Sequence, residues 1–282
     1  MRTVAIFGVG LIGGSFALAL RRAGFTGEIL GVSSSSTVTK AIELGVIDRG
    51  VSLEEAAQLA DLLYLAQPIR EILKTIQALA GQIRPGVLVT DAGSTKRDIA
   101  AQAARYLDNT VFIGGHPMAG KEVRGVEAAE AALFENRTYF LCVRDQTVLN
   151  HPIAKELVEY VERFGARPVL LGPEEHDALV GLTSHLPQLA STALATSLSR
   201  QLDPHSARNG AGPGLLDMTR LARSSYELWA DILLTNVTAI DSALGLYIKE
   251  LEEIRAALAR NELGSVFERA SDFASFIRKQ GH

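Results

Sequence analysis

Short apolar runs alternate with longer amphipathic segments from the N-terminus to about Leu171. Runs of four or five apolar residues bounded by glycine, proline or polar residues are typical of buried strands, and the longer segments between them are typical of helices. Such alternation predicts a parallel sheet covered by helices on both faces. The predicted strands are Thr3–Phe7, Glu28–Val32, Leu62–Ala66, Val87–Asp91, Val111–Ile113, Tyr139–Val143 and Arg167–Leu171. The predicted helices include Phe16–Ala23, one through Leu44, one opened by a Ser52/Glu55 capping box, Ile69–Ala80, one reaching Tyr106, and Pro152–Phe164.

The strand pattern stops after Gly172-Pro173, and every later segment has helical periodicity. This change predicts two domains, 1–172 with an α/β fold and 173–282 with only helices. The chain of 282 residues is long enough for two domains. The second domain is predicted to contain the helices Glu174–Leu202, a segment ending near Ala222, Ser225–Arg260 and Ser265–Gln280, joined by a flexible loop at Asp203–Gly214.

Composition limits the kind of partner. The formal charge is −4 and the pI is about 5.9, and no run of Lys or Arg offsets this balance, so a nucleic-acid surface is not expected. The apolar run at the N-terminus is too short for a signal peptide, and no stretch reaches the length of a membrane span. The six histidines and the single Cys142 lack the spacing of a metal site. The sequence predicts a cytoplasmic protein that binds a small molecule and no metal.

A glycine-rich loop follows the first predicted strand and opens the first predicted helix. Its sequence, Gly8-Val9-Gly10-Leu11-Ile12-Gly13, matches the dinucleotide-binding pattern in the structural context that this pattern requires. The first glycine is expected to form the turn, the second to admit the pyrophosphate, and the third to let the helix pack on the strand. We therefore predict a Rossmann-type domain with cofactor contacts at Gly8, Gly10, Leu11, Ile12 and Gly13.

The second predicted strand ends in hydroxyl side chains rather than at an acidic residue. An NAD site usually has Asp or Glu here to accept from the ribose 2′-hydroxyl. The chain has Ser33-Ser34-Ser35-Ser36-Thr37 instead, with Lys40 as the nearest cation. Hydroxyls donate to a 2′-phosphate, so the sequence favours NADP over NAD and adds Ser33, Ser34 and Ser35 to the cofactor contacts. In the alternative interpretation, several of these serines only cap the following helix.

Two histidines and one serine lie where chemistry is expected. His116 lies in Gly114-Gly115-His116-Pro117-Met118-Ala119-Gly120, where a strand is predicted to end in a tight loop, and its ordinary pKa of about 6.5 suits a general base. His185 lies beside Pro187, which is predicted to kink its helix. Ser94 follows a strand and is predicted to be the N-cap of the helix reaching Tyr106, where ligands also bind such sheets. The alternatives are a solvated loop histidine for His116 and a hydrogen-bonded core histidine for His185.

Six short motifs and one tryptophan occur in the same order as in a known enzyme family. They are Gly8–Ser15, Asp91-Ala92-Gly93-Ser94-Thr95-Lys96, Gly114–Gly120, Glu174-Glu175-His176-Asp177, Ser184-His185-Leu186-Pro187, Asp217-Met218-Thr219-Arg220, and Trp229. With them the chain resembles the prephenate/arogenate dehydrogenase family of tyrosine biosynthesis. The resemblance begins near Thr3, and the tail beyond Arg260 carries no motif that we can place.

The resemblance implies a reaction and roles for several of these residues. Such enzymes transfer a hydride from C4 of a cyclohexadiene to NAD(P)+, with loss of carbon dioxide and formation of an aromatic ring. By resemblance, His116 accepts the proton of the 4-hydroxyl group, Ser94 orients it, and Arg220 binds a substrate carboxylate. His185 is implied near the substrate, and Glu122 at the rim of its site. The default alternative for Arg220 is a surface salt bridge with Asp217, one helical turn away.

Two positions depart from the family pattern and bear on the substrate. Gln188 stands where many members have a histidine that recognises the substrate side chain, and Lys121 adds a cation after the His116 loop. Because prephenate carries two carboxylates, Lys121 favours prephenate, which would be converted to 4-hydroxyphenylpyruvate. Arogenate, converted to tyrosine, and dual specificity as a cyclohexadienyl dehydrogenase are the alternatives.

The resemblance also implies partners, and two other functions stay open. Family members pair through their helical domains, so a homodimer is expected, and tyrosine is a candidate feedback inhibitor. The first alternative function is another β-hydroxyacid-type dehydrogenase or reductase of the same architecture. The second is a nucleotide-sensing protein that keeps the fold without turnover.

Overall fold

The computed structural model describes residues 1–107 and 110–279, and the predicted helix end at Gln280 lies outside these residues. The strands of the described chain are β1 Thr3–Phe7, β2 Glu28–Val32, β3 Arg49–Gly50, β4 Leu62–Leu65, β5 Leu88–Asp91, β6 Val111–Pro117, β7 Thr138–Cys142 and β8 Arg167–Leu171. They form one sheet in the order β3-β2-β1-β4-β5-β6-β7-β8, so β3 and β8 are its edges. All seven predicted strands are confirmed, and the sequence did not predict the two-residue β3.

The first six strands run parallel, as predicted, but β7 runs antiparallel to β6 and β8 is parallel to β7. A parallel crossover usually needs a helix between the two strands. In the described segment 118–137, which joins β6 to β7, the one helix is the three-residue 3₁₀ turn Val126–Ala128. The chain therefore returns beside β6 in the opposite direction.

The predicted end of β6 at Ile113 was wrong, because the strand continues through Pro117. Gly114, Gly115, His116 and Pro117 pair with Cys142, Leu141, Phe140 and Tyr139 of β7. Sequence reasoning treated the glycine pair as the start of a loop, whereas the antiparallel partner keeps it extended. His116 therefore belongs to a strand in the sheet.

Alternate residues of the central strands enter two hydrophobic clusters. Val4 and Ile6 of β1 belong to one cluster, and Ala5 and Phe7 belong to the other. The first cluster includes Phe16, whose ring stacks on that of Tyr64 with centroids 3.8 Å apart. This alternation shows that both faces of the sheet are covered, as the sequence predicts.

Eight α-helices of the described chain belong to the first compact unit, which comprises Met1–Val180 and Ser224–Thr235. The predicted capping box is present, since Ser52 and Glu55 exchange both hydrogen bonds at the start of the third helix. These helices are α1 Leu11–Arg22, α2 Ser35–Glu43, α3 Leu53–Leu59, α4 Ile69–Ala78, α5 Arg97–Tyr106, α6 Pro152–Arg163, α7 Pro173–Val180 and α11 Tyr226–Thr235.

The second compact unit comprises Gly181–Arg223 and residues from Asn236 onward, and its described part contains helices and no strand. Its elements are a π-helical turn Gly181–His185, α8 Leu186–Gln201, α9 Pro204–Gly210, α10 Pro213–Thr219, a 3₁₀ turn Leu221–Arg223, α12 Val237–Arg260 and α13 Gly264–Lys279. The division between the two compact units differs from the predicted domain boundary at 172/173. That boundary stays a prediction.

Three predictions for the helical segments need correction. The predicted helix Glu174–Leu202 is interrupted by the π-helical turn, which directly precedes α8, and Pro187 is the second residue of α8. The predicted loop Asp203–Gly214 contains α9, because the Asp203 carboxylate accepts hydrogen bonds from two backbone N–H groups of its first turn. The predicted helix Ser225–Arg260 breaks at Asn236, whose backbone is not helical (φ −128°, ψ 28°).

In one copy of the protein, α12 and α13 expose many apolar side chains to solvent. In α13, Phe267 is 71% exposed and Phe273 is 66% exposed, and in α12 Leu246 is 63% exposed. Apolar surface of this kind is typical of an interaction site.

No single described helix is long and apolar enough to cross a membrane; α11 and α12 meet the length and composition of a span only when counted together.

Candidate active site

A cleft of about 690 Å³ opens at the carboxyl ends of β1, β2 and β4 in the first unit. The strand order reverses between β1 and β4, and open α/β sheets bind ligands at such a switch point. Four segments line the cleft: Gly8–Gly10, Val32–Thr37 with Lys40, Ala66–Pro68 with Glu71, and Gly125–Glu127.

The glycines of the first loop have the conformations and surroundings that a dinucleotide requires. Gly8 has φ 86°, and a Cβ there would lie 2.9 Å from the Ala66 carbonyl oxygen. A Cβ at Gly13 would overlap the Gly8 carbonyl and approach Ile6 Cγ2 to 2.8 Å, so only glycine lets α1 pack on β1. A Cβ at Gly10 has no described atom within 4 Å. The loop thus leaves open space at the N-terminus of α1, where backbone N–H groups attract phosphate.

The cleft includes some of the predicted cofactor contacts and several that sequence reasoning missed. Gly8, Gly10, Ser33 and Ser34 line it, whereas Leu11, Ile12, Gly13 and Ser35 are not among its lining residues. Ser36, Thr37 and Lys40, which the sequence analysis named beside these serines, also line the cleft. The missed lining residues are Val9, Val32, Ala66, Gln67, Pro68, Glu71, Gly125, Val126 and Glu127. Those after β4 could have been found only from the strand order, because that order places β4 beside β1.

Ser34 has the capping role that the alternative interpretation gave to the serines. Its hydroxyl accepts from the Thr37 N–H at 3.4 Å and lies 2.9 Å from Thr37 Oγ1. Lys40, the nearest cation, forms an ion pair with Glu43 at 3.2 Å. Both Ser34 and Lys40 still line the cleft, so capping and ligand contact are compatible here.

His116 is a buried histidine in a strand and not a solvated loop residue. It is 8% exposed, and its Nδ1 lies 2.9 Å from Nε2 of His176. His176, in α7, is fully buried, and its Nδ1 lies 2.8 Å from Oδ1 of Asp177. The ring of Phe140 packs edge-on against His176 with centroids 5.1 Å apart. The three polar side chains therefore form a continuous buried chain of hydrogen bonds.

Asp177 also caps α5, so the prediction that Ser94 caps this helix was wrong. Asp177 Oδ1 accepts from the Lys96 N–H at 2.7 Å, and Oδ2 accepts from the Arg97 N–H at 2.9 Å. The N-cap position is Lys96, two residues after Ser94, and the capping carboxylate comes from a distant part of the sequence. Ser94 is half-buried just after β5, the strand beside the one that carries His116.

A fully buried ion pair supports the strand segment before His116. Lys96 Nζ donates to the Asp91 carboxylate and, at 2.6 Å, to the Gly115 carbonyl. The Asp91 carboxylate also accepts from the N–H groups of Gly115 at 3.1 Å and Gly93 at 2.8 Å. Burial raises the pKa of Asp91, and these donors oppose the rise. Lys96 and Asp91 therefore fix Gly115, which directly precedes His116.

The second unit contains three of the predicted substrate residues, His185, Gln188 and Arg220. His185 is 1% exposed, and the Asn236 side-chain amide donates to its Nδ1 at 3.2 Å, so the proton of the neutral ring lies on Nε2. Gln188 is buried and donates to the Leu221 carbonyl at 2.9 Å. Arg220 is exposed, and within the described residues it forms no ion pair with Asp217.

Lys121 and Glu122 are exposed residues of the segment after β6. Lys121 forms an ion pair with Glu130 at 2.8 Å and also donates to the Ala128 carbonyl at 3.2 Å. The carboxylate of Glu130 balances its charge, so the argument from Lys121 to a substrate with two carboxylates loses weight. Cys142 is buried, and burial raises the pKa of its thiol to about 12, which makes it inert at neutral pH.

Sequence reasoning gave no separate role to four residues of the buried network: Asp91, Lys96, His176 and Asp177. All four lie within the motifs that carried the family resemblance. Their contacts join parts of the chain up to 81 residues apart, as in the hydrogen bond from Lys96 to Asp177. Order along the chain does not reveal such contacts.

Comparison with known proteins identifies both parts of the chain. Residues 16–170 match the family model of the nucleotide-binding domain of prephenate dehydrogenase, and residues 172–270 match that of its dimerization domain. The chain is 35% identical over 271 residues to prephenate dehydrogenase from Bacillus subtilis, covering 94% of this chain and 72% of that protein.

Solved structures agree over nearly the whole length. The crystal structure of prephenate dehydrogenase from A. aeolicus in complex with hydroxyphenyl propionate and NAD+ has a TM-score of 0.87 and 31% identity, covering 99% of this chain and 98% of that one. Synechocystis arogenate dehydrogenase has a TM-score of 0.84 and 31% identity, covering 98% and 99%. The chain therefore belongs to the prephenate dehydrogenase family of NAD(P)-dependent oxidoreductases.

Proposed function

We propose that this protein oxidatively decarboxylates prephenate to 4-hydroxyphenylpyruvate in tyrosine biosynthesis. The observation that carries the proposal is His116, a buried histidine near the carboxyl end of β6 in a sheet whose switch point holds a dinucleotide-type cleft. The activity named for the B. subtilis relative and the ligands of the A. aeolicus structure support this substrate class.

In the proposed mechanism, His116 accepts the proton of the substrate's 4-hydroxyl group. The bound oxidised nicotinamide supplies the acceptor for the hydride from C4. The bond between C1 and its carboxylate then breaks, carbon dioxide leaves, and the electron pair completes the aromatic ring. His116 returns its proton to the new phenolate oxygen, so the reaction consumes no net proton and leaves the histidine neutral.

We assign the remaining predicted residues to substrate binding and orientation. The planar guanidinium of Arg220 suits a carboxylate that binds bidentately, and its exposure keeps it available. Ser94 is proposed to orient His116, His185 to donate to the substrate, and Glu122 and Lys121 to lie at the rim. Gln188 is proposed to act through the turn after Arg220, because its amide already donates to the Leu221 carbonyl.

For the cofactor, we propose that the cleft accepts NADP in preference to NAD. The hydroxyls of Ser33, Ser34, Ser36 and Thr37 line its second-strand side together with Lys40. The lining at this end lacks an acidic residue among the described positions 32–40, which are where a 2′-hydroxyl acceptor is expected. Comparing kcat/KM for NAD+ and NADP+ tests this preference, and a higher value with NAD+ would reject it.

We also propose a homodimer formed through the helical unit, with tyrosine as a feedback inhibitor. The match to a dimerization domain and the exposed apolar residues of α12 and α13 support the dimer. Sedimentation of the purified protein tests it, and a monomer at micromolar concentration would contradict it. A cytoplasmic location stays a prediction from the sequence.

Kinetics with two substrates and two cofactors tests the function. Purified protein is mixed with prephenate or arogenate and with NAD+ or NADP+, and reduction of the nicotinamide is followed. We expect turnover with prephenate. Arogenate as the better substrate would favour the activity of the Synechocystis relative, and nucleotide binding without turnover in all four mixtures would favour a nucleotide sensor.

A further inference from the structure

Two buried residues, His176 and Asp177, follow His116 in a line of hydrogen bonds. His116 Nδ1 contacts Nε2 of His176 at 2.9 Å, and His176 Nδ1 contacts Oδ1 of Asp177 at 2.8 Å. His176 is 0% exposed and Asp177 is 4% exposed. The donor and the acceptor of each of these hydrogen bonds can be deduced by starting from Asp177.

Asp177 acts as an acceptor at both oxygens. Oδ1 accepts from the Lys96 N–H and Oδ2 accepts from the Arg97 N–H, so a proton on either oxygen would face a backbone donor. An ionised carboxylate is acceptor-only. The hydrogen between His176 and Asp177 therefore belongs to Nδ1 of His176.

The remaining directions follow in order. A neutral imidazole has one donor and one acceptor nitrogen, so His176 Nε2 is an acceptor once Nδ1 is protonated. His116 Nδ1 must then carry the hydrogen that it shares with His176. The lone pair of neutral His116 is consequently on Nε2.

We infer that His176 and Asp177 are positioning residues that hold His116 in the Nε2-basic tautomer and stabilise its imidazolium after it takes the substrate proton. The inference rests on the proposed role of His116 as the proton acceptor. Neither residue needs to touch the substrate. A buried base held in the wrong tautomer would present an N–H group where a lone pair is needed.

Neighbouring charges are consistent with a neutral His176. The charged groups that act on it are Asp177 on its own helix, together with Lys96 and Asp91. Burial lowers the pKa of His176, and Lys96 adds to this effect, whereas Asp177 and Asp91 oppose it. A neutral His176 keeps the Nε2 lone pair that accepts the hydrogen bond from His116 Nδ1.

Substitution of His176 tests the role by kinetics. His176→Leu removes the acceptor, and His176→Gln offers an amide oxygen in its place. We expect His176→Leu to lower kcat by about 10- to 100-fold, the range found when a metal-binding histidine loses the partner that orients it. We expect His176→Gln to recover most of this loss, and the exposed Glu174→Gln on the same helix serves as the control with unchanged kcat.

The pH profile separates positioning from a structural role. The hydrogen bond to His176 favours protonated His116, so its loss should move the acid limb of kcat to lower pH in His176→Leu. Cofactor binding and melting temperature identify variants that fail to fold. A folded His176→Leu variant with the kcat of the wild type and an unchanged acid limb would overturn the inference.

Nitrogen-15 NMR of the histidine rings gives a test that needs no turnover. In the wild-type protein near pH 8, the His116 signals, assigned by their loss in His116→Asn, should show a protonated Nδ1 and an unprotonated Nε2. A protonated Nε2 would overturn the inference even if the enzyme is active. If none of the four mixtures of substrate and cofactor gives turnover but the tautomer is as expected, the proposed function fails, whereas the assignment of the His116 tautomer stands.

Discussion

The side-chain amide of Gln188 donates to the carbonyl of Leu221 at 2.9 Å, and Leu221 is the residue that follows Arg220. Three residues further along α8, the Ser191 hydroxyl accepts from the Ala222 N–H at 3.1 Å. Both side chains are buried. One helix thus holds the backbone of the turn that directly follows the proposed carboxylate-binding arginine.

Gln188→Leu is therefore expected to raise the KM for the substrate, although in this proposal the side chain at position 188 does not itself contact the substrate. The Leu221 carbonyl would lose its donor, which costs about 1–3 kcal/mol for a buried group and loosens the turn beside Arg220. Steady-state kinetics and thermal melting measure both effects. The exposed Gln201→Ala on the same helix is the control, and an unchanged substrate KM in a destabilised Gln188→Leu would limit Gln188 to a structural role.

Arg220→Ala should raise the KM for the substrate by roughly 10- to 100-fold, because hydrogen bonds to charged groups contribute about 1.5–3 kcal/mol. The KM for the cofactor should change little. Arg220→Lys should recover only part of the affinity, since an ammonium group cannot bind a carboxylate bidentately. Arg208→Ala, an exposed arginine of α9, is the control. A larger change in the cofactor KM would remove Arg220 from substrate binding.

His116→Asn should lower kcat by about 10²–10⁴, the usual contribution of a general base. Asparagine keeps a polar side chain of similar size, so the cofactor Kd should stay within the error of the wild-type value. Stopped-flow turnover and fluorescence titration of the reduced cofactor measure the two quantities. Near-normal turnover would reject the role of His116.

Folding stability should fall as the pH drops below about 6.5, the ordinary pKa of histidine in an unfolded chain. Burial lowers the pKa of His176 in the folded protein, so between the two pKa values the unfolded chain binds a proton that the native chain does not. This contribution to stability is complete above about pH 6.5 and is lost progressively as the pH falls toward the lowered value. The melting temperature of wild type should therefore decrease over this interval more steeply than that of His176→Gln, and parallel curves would contradict the prediction.

Gly115→Ala should destabilise the folded protein by about 1–3 kcal/mol, the usual cost of overpacking a buried site. Its Cβ would overlap the Asp91 carbonyl oxygen and lie 3.1 Å from Thr90 Oγ1. Gly120→Ala is the matched control, because no described atom lies within 4 Å of a Cβ there. Denaturant unfolding measures both variants. Equal stability of the two would show that β6 shifts to admit a methyl group.

The sequence predicts what depends on local pattern. The apolar runs located β1, β2 and β8 with correct ends, and the Ser52/Glu55 spacing located the start of α3. The glycine spacing was enough to locate the cofactor loop, because the closest contacts of Gly13, with Gly8 and Ile6, lie within its own strand-loop-helix unit.

Long-range partners are what the sequence could not supply. The end of β6 depends on pairing with β7, and the cap of α5 depends on a carboxylate 81 residues after Lys96. The same holds for His116, because its chemistry could be inferred from residue type while its partner His176 lies 60 residues away. Local propensity says nothing about such pairs until the topology is known.

The sheet also limits how copies of the chain can associate. One edge, β3, is only two residues long, and the other, β8, begins with Arg167 and with Pro168, which has no N–H to donate. Short, charged or proline-containing edges resist the addition of a strand from another molecule. Growth of a continuous intermolecular sheet, the first step toward fibrillar aggregation, is therefore disfavoured at both ends.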